Sequence, residues 1–362
     1  MKKGLLLLYL ATSFISCSKE SVDEKEKHLI SKEEILKPEI GGANQPNQVF
    51  LDLSKGESKV VNRGTWDLGF YSGDEFRVVL NSSTFMAVKK TDQIDITLAQ
   101  NPDKNVVPLG GFNLVQNGYC DDATGILNGK GQGQGTAIGE ISALDNENKV
   151  YLLNLGFEVS TKTPAIGSVS TEGNARGWKK IRILRTNNGG YKIQYANLLD
   201  KDFKEKIIDK DKLYNFTFFS LLKEDVVMVE PKKELWDLCF TTFTNYISSG
   251  TDIVTYGFAD FVISNMKGGT QVYEVNISEY TYENFKKENI IESKFIPSKT
   301  DQRIIGSNWR VGGSQAGGLP SIKTDRFYVL KDIQSNYYKI KFLTMTNDKG
   351  ERGNTKIQYS LL

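Results

Sequence analysis

One block of this sequence occurs twice. Around Trp66 the chain reads Thr65-Trp66-Asp67-Leu68-Gly69-Phe70, and around Trp236 it reads Leu235-Trp236-Asp237-Leu238-Cys239-Phe240, each after an apolar run that contains lysine. A second block recurs in the same order. Trp178-Lys179-Lys180-Ile181-Arg182-Ile183-Leu184 with Tyr191-Lys192-Ile193-Gln194-Tyr195 is echoed by Tyr337-Tyr338-Lys339-Ile340-Lys341-Phe342-Leu343 with Thr355-Lys356-Ile357-Gln358-Tyr359. A repeat this long, present twice, predicts two tandem globular domains, because solenoid repeats run roughly 20 to 50 residues. The phase of the repeat places them at 47–212 and 213–362.

The composition suits that reading and narrows the partners. A chain of 362 residues with 39% hydrophobic and 25% charged residues has the make-up of soluble globular domains, each long enough to bury a core. Lys and Arg number 46 against 44 Asp and Glu, so the net charge of +2 gives no uniform field to recruit nucleic acid or an anionic membrane surface. The 33 Gly, 16 Tyr and 19 Phe, without sustained helical periodicity, predict strands joined by Gly, Asn and Asp turns.

The N-terminus predicts export. Lys2 and Lys3 precede the apolar run Gly4 to Ala11, which is too short to span roughly 30 Å of hydrocarbon and reads as a signal peptide over 1–16. Phe14-Ile15-Ser16-Cys17-Ser18 resembles a bacterial lipobox, which implies acylation of Cys17 as the new N-terminal residue. Multiple acyl chains on one cysteine supply the two or more anchors that stable membrane attachment needs. The charge-dense run from Ser18 to Lys27 cannot bury a core, so a lipidated, solvated tether is expected over 17–46, with a short helix at 29–36 ended by Pro38. An acidic stretch directly after the cysteine resembles the export signal of surface-exposed lipoproteins of Bacteroidetes. His28, the chain's one histidine, falls in this tether, where a solvated side chain is the expected state.

Within the first domain, Val49 to Leu53 and Lys59 to Val61 read as a hairpin that opens a β-meander. Period-two alternation then puts Trp66, Leu68 and Phe70 on one face. Asp67 is read as satisfying backbone donors rather than as catalytic. Phe76 to Asn81, Ile94 to Leu98, Val150 to Leu155, Trp178 to Leu184 and Tyr191 to Tyr195 are further predicted strands, the last two joined at Asn187-Asn188-Gly189. In the second domain Tyr214 to Phe219, Tyr256 to Ile263, Gln271 to Val275 and Phe327 to Leu330 are predicted strands, with a helical turn near Tyr282 to Lys287. The Gly-rich stretch from Asn128 to Thr136 matches neither a phosphate-cradling loop nor a dinucleotide fingerprint and is read as a loop.

Catalytic chemistry finds little footing. No Ser-His or Cys-His nucleophile system is available with the single histidine in the tether. Cys120 and Cys239 lack metal-site spacing and fall at non-equivalent places of the two copies. Two carboxylates suffice for a glycosidase, but no pair stands out. A binding protein rather than an enzyme is expected.

The order of lipobox, polar tether, Trp-Asp-Leu strand, following strand ending in Asn, Gly-rich loop and closing Phe-Tyr-Val-Leu and Tyr-Lys-Ile-Lys-Phe hairpin resembles the HmuY family of haem-binding lipoproteins, most clearly over 213–362. The resemblance implies an all-β fold of two tandem antiparallel domains, an outer-membrane lipoprotein, and haem or another tetrapyrrole as ligand, with an outer-membrane receptor or a haemoprotein as partner. In that family two histidines ligate haem iron, one before a Gly-Pro-rich stretch. The matching stretch runs from Trp309 to Pro320 and offers Ser314 and Gln315 where that histidine would fall, and a single histidine in the chain excludes bis-His ligation by count alone. Thioether sulfur is an alternative axial ligand. Met86 and Met266, after the second strand of each copy, are the candidates, with Met228 and Met345 more remote and core packing the bland reading for each. The alternative function is a surface adhesion or assembly lipoprotein that binds a protein or glycan, haem binding having been lost.

Overall fold

The structure, a computed structural model, describes residues 33–107, 109–110, 119–129, 135–313 and 318–362. In chain order the strands of its first half are β1 (Glu34–Leu36), β2 (Asn47–Asp52), β3 (Glu57–Asn62), β4 (Leu68–Tyr71), β5 (Val78–Leu80), β6 (Ala87–Lys90), β7 (Tyr151–Asn154), β8 (Phe157–Val159), β9 (Glu172–Ala175), β10 (Trp178–Arg185) and β11 (Tyr191–Ala196). Those of the second are β12 (Lys204–Ile208), β13 (Phe216–Ser220), β14 (Asp225–Val227), β15 (Leu238–Ser249), β16 (Asp252–Ser264), β17 (Gln271–Asn276), β18 (Arg310–Val311), β19 (Ser321–Ile322), β20 (Arg326–Lys331), β21 (Tyr337–Thr346) and β22 (Arg352–Leu361). The fold is all-β and antiparallel, and the remaining regular elements are short 3-10 turns.

Two five-stranded sheets, β12-β11-β10-β7-β6 and β1-β22-β21-β20-β17, match strand for strand, as do two four-stranded sheets, β14-β13-β4-β5 and β3-β2-β15-β16. The matched strands do not follow the phase of the sequence repeat. The sheets of one unit draw on β4 to β14, a continuous run. The other unit takes β15 to β22 and is completed by β1, β2 and β3 from the start of the chain. The hairpin β2–β3 therefore does not continue as a meander into β4. Leu51 of β2 pairs with Leu238 of β15, as Phe219 of β13 pairs with Leu68 of β4.

The pairing extends to residues read from sequence as tether. Glu34 lies opposite Tyr359 and Leu36 opposite Ile357, so 34–36 is an edge strand and not the end of a helix. An unfilled ladder on β22 outweighs the local helical preference of this short segment. Ile40 is buried in the core of the second unit, and Gln45 donates to the buried carboxylate of Asp260. Residues 1–32, with the signal peptide, Cys17 and His28, lie outside the described residues.

Where the ladder is regular, alternation sorts side chains as expected. Tyr328 and Leu330 of β20 enter the core of the second unit, while Phe327 and Val329 face a smaller cluster with Tyr282, Phe285 and Phe295. That cluster explains the weakly patterned stretch near 280–299, whose turns and 3-10 segments cover the outer face of the sheet. Two strand expectations fail for local reasons. At 94–98 the Asp95 carboxylate accepts the Thr97 amide (2.9 Å) and hydroxyl (2.7 Å), closing a turn instead of extending a strand. Trp66 lies outside β4, and its ring joins a cluster apart from the core that holds Leu68 and Phe70, because alternation holds only as far as the ladder does.

The loci that join hairpin to Trp strand are built alike in both units. The Asp67 amide donates to Phe219 O, and its carboxylate accepts the Leu221 amide at 2.6 Å. The Asp237 amide donates to Leu51 O, and its carboxylate accepts the Leu53 amide at 2.9 Å. They differ in one respect: Asp67 also pairs with Arg176 at 2.6 Å, whereas Asp237 has the Thr270 hydroxyl at 3.4 Å. Removing one partner of a buried ion pair costs about 3–5 kcal/mol, and orphaning a buried amide about 1–3 kcal/mol. Asp67→Ala is therefore expected to destabilise the chain by about 3–5 kcal/mol and Asp237→Ala by about 1–3 kcal/mol, read from denaturant midpoints. Equal losses would show that the Arg176 pair adds nothing.

Candidate functional site

The two Trp residues that mark the repeat meet at the seam between the units. Trp66 packs edge-on against Phe218 with centroids 4.7 Å apart, and Trp236 edge-on against Phe50 at 5.1 Å. Such pairs contribute about 0.5–1.5 kcal/mol beyond area burial. With Val229 and Cys239 they form one buried cluster. Around it polar side chains stitch the units together. Thr242 and Thr244 donate to Ser83 O and Ser82 O, at 2.7 and 2.8 Å, and Asn215 donates to Asn265 Oδ1 at 2.8 Å. The fully buried Arg63 donates to the carbonyls of Gln45, Ser83 and Thr171. Desolvation lowers its guanidinium to about 10, with Glu172 opposing the shift.

Beside these contacts lies a partly open cavity of about 130 Å³. Its walls are more apolar than polar, with Phe216 and Phe243 joining the four rings above, and Met86, Cys120 and Cys239 also lie on them. Lys267 and Asn215 separate it from an outer polar cleft of about 260 Å³ that Tyr71, Asp74, Lys212 and Tyr214 help to line.

Asp121, Asp122, Glu230 and Lys267 are the charged residues of this wall. Glu230 accepts the Asn215 and Phe216 amides on Oε1 at 2.6 and 2.9 Å, while Oε2 has only Asn215 Nδ2 at 3.5 Å. Asp121 accepts the Leu80 and Ala137 amides at 2.7 and 2.8 Å. Lys267 Nζ donates to Gly125 O at 2.6 Å. Burial raises Glu230 to about 7 and Asp121 to about 6 against the pull of these donors. Desolvation likewise lowers Lys267 to about 8, although both carboxylates oppose it. The thiols of Cys120 and Cys239 are free and buried; Cys120 is pushed up to about 12, and Cys239 is raised as well, both by desolvation. Buried thiols so placed are inert.

The residues singled out from the sequence are not brought together. Met86 is on the cavity wall but also packs in the core of the first unit. Met266 opens a 3-10 turn, and its structural counterpart is Ser82, since Asn81 and Asn265 cap equivalent turns. The counterpart of Met86 is Thr270: each donates its amide to the capping Asn carbonyl, and the two methionines are no matched pair. Trp309 stacks on Phe342 at 4.2 Å in the core of the second unit, where Met345 also packs, away from the seam. Met228 is exposed. Ser314 and Gln315 lie outside the described residues, as does part of the Asn128 to Thr136 loop. Cys120 and Cys239, far apart in sequence and in different copies, do meet one cavity. Asp121, Glu230 and Lys267 carried no sequence signal, because single charged residues in polar loops do not announce burial.

The chain is thus all-β, with two matched units and ionisable groups buried at their seam, and no cluster of metal-ligating side chains lies among the described residues. The family profile described as HmuY protein matches it twice, over residues 44–211 and 212–359, and the chain belongs to the HmuY family. Among solved structures, a proposed HmuY-like haem-binding protein from Bacteroides vulgatus ATCC 8482 is similar, with 8% identity, 93% of each chain covered and a TM-score of 0.22. No curated protein matches.

Haem does not fit the seam cavity as it stands. Ligand pockets span roughly 300–1,000 Å³, well above the volume found here, and the described donor set on this wall holds one thioether and no imidazole.

The buried carboxyls fix a pH response. A carboxyl whose pKa is higher folded than unfolded stabilises the fold below its unfolded value near 4, and that contribution is lost as pH rises through the folded value. Glu230 therefore weakens the fold between about pH 4 and about 7, and Lys267, lowered on folding, gives back stability only above about 8. The thermal midpoint of Glu230→Gln minus that of the wild type is expected to grow as pH is raised from 4.5 to 7.5. A difference independent of pH would contradict the burial of this charge.

Proposed function

We propose that the chain is an exported, lipid-anchored binding protein of the outer membrane, surface-exposed, with Cys17 as the anchored residue, and that it takes haem or a related tetrapyrrole without bis-histidine ligation. Membership of the HmuY family supports the ligand class. The observation that carries the reading is the match of the family profile over both halves of the chain, 44–211 and 212–359, with Met86 the candidate thioether nearest the seam. No enzymatic role is assigned. An outer-membrane receptor or a haemoprotein is the corresponding partner. The size of the cavity favours a second reading, a surface adhesion or assembly lipoprotein that binds a protein or glycan.

A haemin titration of residues 18–362, followed in the Soret and visible bands under oxidising and reducing conditions, separates the two. Saturation at one or two equivalents, with the reduced spectrum altered by Met86→Ala and not by Met266→Ala, is the expected result. Saturation indifferent to Met86 would place the tetrapyrrole in an apolar slot without that ligand. No saturable shift in either redox state would leave the adhesion or assembly reading.

A further inference from the structure

Among the described residues that line the seam cavity, one buried polar atom is unmatched. In the first unit the Trp66 indole donates to Gln48 Oε1 at 2.8 Å. The equivalent Trp236 indole, 7% exposed, has no acceptor. Strand register explains the difference. With Leu51 and Phe219 as counterparts in the two hairpins, Gln48 corresponds to Phe216, a side chain with no acceptor to offer. A buried N–H left without a partner is a standing cost, and a native structure that keeps one calls for an explanation.

The surroundings define what would satisfy it. Six rings, those of Phe50, Trp66, Phe216, Phe218, Trp236 and Phe243, line the cavity, and its volume is comparable to engineered apolar cavities of roughly 150 Å³ that take up benzene. Three carboxyl residues, Asp121, Asp122 and Glu230, share the wall with the single ammonium of Lys267, so an anion gains little there. Water alone would meet the N–H but would leave the rings without contact.

We propose that the seam cavity binds a small neutral aromatic molecule bearing one oxygen acceptor, phenol being the simplest of the class, with its ring among the aromatic walls and its oxygen on the Trp236 indole N–H. Entry is from the outer cleft past Lys267 and Asn215, the residues common to both spaces. The proposal stands apart from haem, since it concerns the cavity at its present volume, which is too small for a tetrapyrrole.

The test is a titration of the processed chain with phenol, benzene and benzoate, read by calorimetry and by the indole N–H resonances of its four tryptophans. Phenol is expected to saturate at one equivalent, to bind about fivefold tighter than benzene for the one added hydrogen bond, and to move the Trp236 indole resonance; benzoate is expected to bind weakest. Trp236→Phe should reduce phenol to the level of benzene. Phe216→Gln, which rebuilds the Gln48 arrangement, should also remove the advantage of phenol, and it serves if Trp236→Phe fails to fold. The proposal is overturned if no probe saturates below its solubility, which would leave the cavity to water, if phenol and benzene bind wild type equally, if benzoate binds best, or if a folded variant of either kind keeps the phenol preference.

Discussion

The architecture hangs on a buried carboxylate that holds the hairpin of each unit to its Trp strand. Asp67 and Asp237 each sit next to a tryptophan and accept the amide of a leucine just past a hairpin strand, Leu221 in one unit and Leu53 in the other. A β-ladder tolerates slippage wherever neither a buried face nor a turn specifies its register. A carboxylate that fits one amide removes that tolerance, because any slip would leave both groups buried and unmatched. The adjoining Asn81 and Asn265 side chains extend the same logic, donating to Trp66 O and Trp236 O and so pinning the strand from its other side.

From that constraint follows the way in which the chain closes. The first unit is made of consecutive strands, while the second waits for β1 to β3, already synthesised, to supply its edge and its hairpin. Joining first and last strands in one sheet ties the beginning of the fold to its end. It also sets Phe50 against Trp236, and the pair lies beside Trp66 and Phe218, so that the seam and its cavity are products of closure. The tether to any membrane anchor then begins before Glu34, closer to the N-terminus than the charge pattern alone suggests.

Much of this was legible in the sequence, and the losses have physical causes. The duplicated Trp-Asp-Leu block, the paired Tyr-Lys-Ile strands and the structural role of Asp67 could be read because alternation and turn chemistry are local. The exchange of hairpins between the two halves could not, since pairing of β2 with β15 is a long-range contact that no window of sequence contains. The segment 34–36 was misread for the same reason: a partner strand more than 300 residues away decides its conformation. Met86 and Met266 looked equivalent by their distance from the second strand, but the capping asparagines, not the strands, set the true correspondence. At the seam, Lys267 and Glu230 were invisible because burial of a lone charge depends on what folds over it.

The most direct test of the account is to produce residues 62–230 and residues 47–212 as separate chains and to compare their cooperative unfolding and amide NMR dispersion. Closure as described predicts that 62–230, which contains the strands of both sheets of the first unit, folds as a monomer, and that 47–212, which lacks β13 and β14, does not. A well-dispersed, cooperatively folded 47–212 beside an unfolded 62–230 would contradict it and restore the phase of the sequence repeat as the phase of the fold.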